Sequence, residues 1–175
     1  MDCIRKVFLD ASALLAWILY PDKVEPGGER ISEYLKRPEH QRYSNELCLT
    51  EVLSRLKWMR HYKQITDPGY FMQVNLLMRR IDHQTLYVSD FNYWKKEFSD
   101  KALELVRKHQ NKIDFIDAMQ IVDVLYGPYR IFAGPSRTLL ITMDGKLRDA
   151  AKAEEVEVWF PPDETDPDQL TTQSS

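Results

Sequence analysis

The chain reads as an α/β protein, one domain with a central, mostly parallel sheet flanked by helices on both faces. Three observations predict this. Short apolar runs such as KVFL and LLITM do not alternate in polarity, as expected of strands buried on both sides. Stretches with helical spacing separate them in regular succession. With 175 residues, 43% hydrophobic and 29% charged, the chain is long enough for one substantial core and has a globular composition. It contains no internal repeat and no interdomain linker.

The first strand is expected over Lys6 to Leu9, and Asp10 is a natural N-cap for a helix from Ala11 to Leu19 that Pro21 and the EPGG turn close. A second helix follows from about Glu29 to Lys36, then a brief strand over Gln41 to Tyr43. Ser44 and Asn45 offer caps for a helix reaching about Tyr62, with Leu49, Val52, Leu53, Leu56 and Met59 on one face. Asp67 and Pro68 start the next helix as a cap and a first-turn proline. Leu86 to Val88 is a strand candidate. Phe91 to His109 is expected as a long helix with Trp94, Phe98, Ala102 and Leu105 on one stripe, and Ile113 to Leu125 as a very apolar one. Leu139 to Met143 forms a buried strand, Asp144 caps a helix to about Glu154, and Val156 to Trp159 is the last strand. The domain is expected to span residues 1–161 and a disordered acidic tail residues 162–175.

Composition narrows the function. The longest unbroken apolar stretch, Ala13 to Tyr20, is too short for a membrane span, and no apolar amino-terminal segment ends in a cleavage site, so a cytoplasmic protein is expected. Cys3 and Cys48 lack metal-ligand spacing and are expected to be reduced. The net charge of −3 hides an asymmetry: the segment from Pro161 holds four acids and no base, leaving 24 basic against 23 acidic residues before it. Charge therefore permits an RNA partner without requiring one. Gly27 and Gly28 belong to no phosphate-loop pattern, and the four histidines form no zinc motif.

Four acids stand out. Asp10 and Asp144 follow apolar strands, where ligands bind in an open parallel sheet, although a plain N-cap explains each equally well. Asp117 shares a helical stripe with Ile113, Ile116, Gln120, Ile121 and Val124, so it must be paired with a base, protonated or bound to metal. Asp114, one turn earlier, reads as a cap or a supporting residue. Glu51 pairs with Arg55, stands in solvent, or faces a cleft or partner surface beside Leu47, Trp58 and Tyr62. Gathered in one cleft, these carboxylates form a cage for hard divalent cations.

The segments VFLDASALLAWI, LTEVLSRL, DFIDAMQIVDV and LLITMDGKLRDAAKAEEVEVWFP resemble the motifs of the PIN domain, most closely those of VapC-type toxin ribonucleases of bacterial toxin–antitoxin pairs. The resemblance covers about residues 6 to 161. It implies a PIN-like fold in which Asp10, Glu51, Asp117 and Asp144 are the metal-binding catalytic acids, with Ser12 and Thr142 as hydroxyls that bond to them. It further implies a metal-dependent endoribonuclease using Mg²⁺ or Mn²⁺, an RNA substrate and a cognate antitoxin. The stretch from Tyr126 to Thr138 and the acidic tail depart from the pattern, and loops and appendages of this kind carry substrate and partner choice.

Candidate phosphate contacts are Arg55, Lys57, Arg60 and Lys63 near Glu51, and Lys146 and Arg148 after Asp144. Trp17 or Trp58 is a candidate for stacking on an unpaired base. A second hydrophobic stripe between about Glu29 and Lys63 makes a homodimer plausible. Three alternatives stand beside the toxin reading: a non-toxin PIN nuclease of RNA processing, a non-catalytic PIN module that binds RNA or protein, and an aspartate-nucleophile phosphohydrolase. The last wants a second aspartate at the position that Ser12 occupies.

Overall fold

The computed structural model describes residues 5–22, 26–110, 112–130 and 138–168. Its elements are β1 (Arg5–Leu9), α1 (Ala11–Leu19), α2 (Gly28–Tyr34), β2 (His40–Asn45), α3 (Glu46–His61), α4 (Asp67–Asp82), β3 (Tyr87–Ser89), α5 (Lys96–Lys108), α6 (Phe115–Tyr126), β4 (Leu139–Ile141), α7 (Gly145–Ala153) and β5 (Glu157–Trp159). The strands form one sheet in the order β3-β2-β1-β4-β5, and every pairing is parallel.

The strand sequences explain the sheet. Val7, Phe8 and Leu9 are consecutive and all fully buried, as are Leu139, Leu140 and Ile141, so both faces of the centre are covered. Right-handed crossovers place the helices between β1, β2 and β3 on one face and those between β3, β4 and β5 on the other. The packing agrees: α1 lies against α2, α3 and α4, while α5 lies against α6. From β1 the chain steps toward β2, and from β4 it steps toward β5, in opposite directions. The gap between the carboxyl ends of β1 and β4 is therefore the switch point at which such sheets bind ligands.

Four local expectations change. Thr66, not Asp67, caps α4, its hydroxyl accepting from the Gly69 N–H at 3.2 Å. The helix expected from Phe91 begins only at Lys96; residues 91–94 alternate instead, with Phe91 and Tyr93 buried and Trp94 94% exposed. Trp17 is buried beneath the Arg80 guanidinium, 3.6 Å from its ring centre, and is closed to any base. The disorder expected from residue 162 does not hold for 162–168, which pack against the body through Arg37 with Asp166 and Asp168, and Lys152 with Glu164. Residues 169–175 lie outside the described residues, as do Cys3 and the 131–137 part of the departing loop. Cys48 is a buried free thiol, and among the described residues no helix is long and apolar enough to cross a membrane.

Candidate active site

Asp10 is where β1 ends and α1 begins. Its side chain is buried, and Oδ1 accepts from the Ala13 N–H at 2.6 Å, which caps the helix. The Ser12 hydroxyl lies 2.8 Å from both carboxylate oxygens, and the Thr142 hydroxyl donates to Oδ2 at 2.7 Å. The two hydroxyls also accept: Ser12 Oγ from the Met143 N–H at 2.8 Å, Thr142 Oγ1 from the Asp144 N–H at 2.9 Å. The turn after β1 is thus stitched to the turn after β4, and one carboxylate oxygen pair is held by both.

Asp144 caps α7, accepting from the N–H groups of Lys146 at 2.6 Å and Leu147 at 3.3 Å. Asp114 and Asp117 form a capping box at the start of α6: Asp114 Oδ1 accepts from the Asp117 N–H at 2.9 Å, and Asp117 Oδ2 from the Asp114 N–H at 3.1 Å. Asp117 is half-buried and Asp114 exposed. Glu51 stands exposed on the first half of α3. Its expected pair with Arg55 does not form; the Arg55 guanidinium lies over the Trp58 ring at 4.3 Å.

The fold brings these acids into electrostatic contact. Burial pushes the Asp10 carboxyl up to about 7, against the pull of its three hydrogen-bonding partners, and Glu51 adds to the push. Burial raises Asp117 to about 6, with Asp114, Asp144 and Glu51 contributing repulsion. Desolvation, Asp114 and Asp144 raise Glu51. No ion pair among the described residues involves any of the five. The arginine or lysine partner considered for Asp117 is absent from that set. Among the described residues, no three His, Cys, Asp or Glu side chains are drawn up as a ready-made metal cage. Asp114, Asp144 and Glu51 thus load negative potential onto Asp117, and Glu51 onto Asp10, with no basic ion-pair partner for any of them among the described residues.

The basic candidates separate. Arg60 holds Asp67 with two bonds of 2.7 and 3.1 Å, joining α3 to α4. Arg148 grips Asp149 at 2.8 Å and covers Phe160. Lys57 and Lys146 are exposed and make no ion pair among the described residues.

Asp123 escaped the sequence reading. It is buried on α6, where Asn45 Nδ2 donates to Oδ2 at 3.1 Å and Ser89 Oγ to Oδ1 at 3.3 Å, with the Tyr93 hydroxyl 3.5 Å from Oδ2. It ties α6 to the ends of β2 and β3. The only sequence signal is an acid inside the apolar run QIVDVL. Gly127 accommodates this knot, since a Cβ there would sit 2.0 Å from Asp123 Oδ1.

The all-parallel five-stranded sheet with helices on both faces is a PIN-like α/β fold. The chain is similar in structure to FitAcB from Neisseria gonorrhoeae, with a TM-score of 0.52 and 13% identity over 89% of this chain and 97% of that one. At that identity the likeness concerns the fold. No family model matches the chain, and no curated protein matches it.

Proposed function

We propose that the protein is a Mg²⁺- or Mn²⁺-dependent endoribonuclease, the toxin of a toxin–antitoxin pair. The observation that carries this reading is the electrostatic influence that Glu51, Asp114 and Asp144 exert on Asp10 and Asp117, acids near the carboxyl ends of the strands with no basic ion-pair partner among the described residues. Repulsion among carboxylates is relieved either by protons or by a cation, and oxygen donors alone suit a hard one. Mg²⁺ keeps several waters and needs only one or two carboxylates in direct contact, which fits a cluster where no three donors converge. Bound there, the ion supplies an activated water and charge neutralisation at a phosphodiester.

The chain's own residues do the rest. Ser12 and Thr142 fix the Asp10 oxygens, so the carboxylate meets the cation in one orientation with its other lone pairs already engaged. Asp117 and Asp144 are held at helix starts, with backbone N–H groups fixing one oxygen each and leaving the second for the cleft. Glu51, raised in pKa and open to solvent, would contribute to a second ion or orient the attacking water.

An antitoxin is the proposed partner. Trp58 and Tyr62 on α3, and Phe71, Met72 and Met78 on α4, are exposed apolar side chains on neighbouring helices, and a groove beside them is lined by Pro21, Phe71, Met72 and Leu76. A second copy of the chain is the other occupant, which sedimentation distinguishes.

The test is cleavage of single-stranded RNA and of folded tRNA by the purified protein. Cleavage should require Mg²⁺ or Mn²⁺, stop in excess chelator, and fall at least a thousandfold in Asp10→Asn and Asp117→Asn, which keep the circular dichroism of the parent. Full activity in chelator, or in either variant, would reject the site. Growth arrest on induction that Asp10→Asn abolishes, with a small DNA-binding protein encoded alongside, would separate the toxin from an RNA-processing nuclease.

A further inference from the structure

Beside the carboxylates lies a cavity lined by His109, Lys112, Lys146, Asp149 and Ala150. We propose that it is the binding subsite for a backbone phosphate of single-stranded RNA next to the one cleaved, an inference that rests on the nuclease reading. Its place follows from the chain. Lys112 is two residues before Asp114, at the entry to α6, and Lys146 is two residues after Asp144, at the start of α7. The cavity therefore opens between the two helix starts that carry three of the five acids.

The charges in it are available. Most lysines nearby are committed: Lys108 bonds Glu154 at 2.9 Å, and Lys152 bonds Glu164 at 2.5 Å. Lys112 and Lys146 are exposed, and neither side chain makes an ion pair or hydrogen bond among the described residues. Their one acidic neighbour in the cavity, Asp149, is already bound by Arg148, and Lys112 and Lys152 act on it only at longer range. His109 turns its Nε2 to Glu154 at 2.7 Å, which fixes the ring as one wall of the recess that Lys112 and Lys146 also line. Two lysines converging on a recess at the rim of an anionic cleft recognise an anion that must reach that cleft. A phosphodiester chain fits, since the acids alone would repel it.

The experiment measures binding of a fluorescein-labelled single-stranded RNA by anisotropy between 50 and 300 mM salt. The non-cleaving Asp10→Asn protein is compared with the same protein carrying Lys112→Ala, Lys146→Ala, both, or Lys108→Ala. Each cavity lysine removed should weaken binding several-fold and flatten the slope of log K against log salt by about 0.7 for each phosphate that is no longer neutralised. Arginine at both positions should restore the slope, and Lys108→Ala should leave it unchanged. In the cleaving protein the double alanine variant should raise KM with kcat nearly unchanged. Unaltered affinity and slope in the double variant, with binding and cleavage intact, would overturn the subsite and leave the nuclease reading standing. The slope change without any cleavage by the parent would keep the anion groove and reject the nuclease; no RNA binding by the parent would reject both. Loss of a protein partner instead of RNA affinity would assign the lysines to a protein interface and overturn the subsite.

Discussion

Asp10 is the residue on which the electrostatics of the cleft turn. Its carboxyl titrates near 7 in the folded chain but near 3.8 when unfolded, so the sign of its effect on stability follows directly. Below the unfolded value both states hold the proton and the group costs nothing; as pH rises toward 7 the unfolded chain releases its proton first, and folding loses on the order of 4 kcal/mol. Metal-free protein should therefore become more stable as pH falls from 8 to about 5.5, a trend that Asp117 reinforces. Asp10→Asn should raise the melting temperature at pH 8 and flatten the trend, and Mg²⁺ or Mn²⁺ should do the same for the parent while leaving the variant less affected. Calorimetry across this range with and without chelator decides it; a parent whose melting temperature is flat from pH 5.5 to 8 without metal would show that Asp10 and Asp117 carry no penalty for burying their charge. The helix caps at Asp10 and Asp144 were legible in sequence because an aspartate between an apolar strand and a helical stretch caps the helix, although β4 ends at Ile141 and not at the expected Met143. Asp123 was not, although it too is an acid within an apolar run. Its partners Asn45 and Ser89 come from strands distant in sequence, and only tertiary pairing tells a structural carboxylate from a metal-seeking one.

At the level of elements, α2 and α5 start without a side-chain cap, and only α5, which also lacks a glycine turn ahead of it, was misplaced by several residues. Asp10, Asn45, Asp114 and Asp144 each accept a backbone N–H in the first turn of their helices, and the elements begin where such a residue announces them. Lys95 provides no side-chain cap to α5, so the start had to be inferred from periodicity alone. In FNYWKKEF the period of two and the period of 3.6 overlap, and a helical stripe through Trp94 competes with an extended stretch that buries Phe91 and Tyr93. The structure takes the second option because Phe91 packs on Phe98 at 4.4 Å and meets Tyr93 edge to face at 5.1 Å, a cluster that a continuous helix would break. The consequence is measurable by urea unfolding. Trp94→Ala should change stability by about 0.5 kcal/mol or less, whereas Phe91→Ala should cost about 3 kcal/mol through the cavity it leaves. A large loss from Trp94→Ala would mean that this side chain is packed and the helix does start earlier.

Over the whole molecule the two edges of the sheet are treated oppositely. The carboxyl edge gathers acids and leaves them unbalanced; the amino edge gathers bases and closes them with the chain's own acidic end. Arg5 at the start of β1 pairs with Glu157 at the start of β5, and Asp168 approaches Arg5 Nε at 3.4 Å, Arg37 at 3.0 Å and His40 Nε2 at 3.3 Å. Asp166 holds the other arm of Arg37, and the Trp159 indole N–H donates to the Glu164 carbonyl at 3.2 Å. Composition suggested disorder because the segment has few apolar residues, but it docks through charge on partners that only folding assembles. These groups are largely shielded, Arg5 and Asp166 each being 14% exposed, so the pairs exceed the small value of surface salt bridges. A chain ending at Pro161 should lose about 2 to 3 kcal/mol in urea unfolding, because Arg37 is left without its carboxylates and Arg5 with one fewer. Part of the difference should vanish at 0.5 M salt, where the intact strap is itself screened. RNA cleavage well below the unfolding transition should be unaffected, since the strap crosses the edge opposite Asp10. An identical urea midpoint for the shortened chain would show that the strap is not bound in solution, whereas an equal loss of stability and of cleavage rate would mean that the two edges are mechanically coupled through β1.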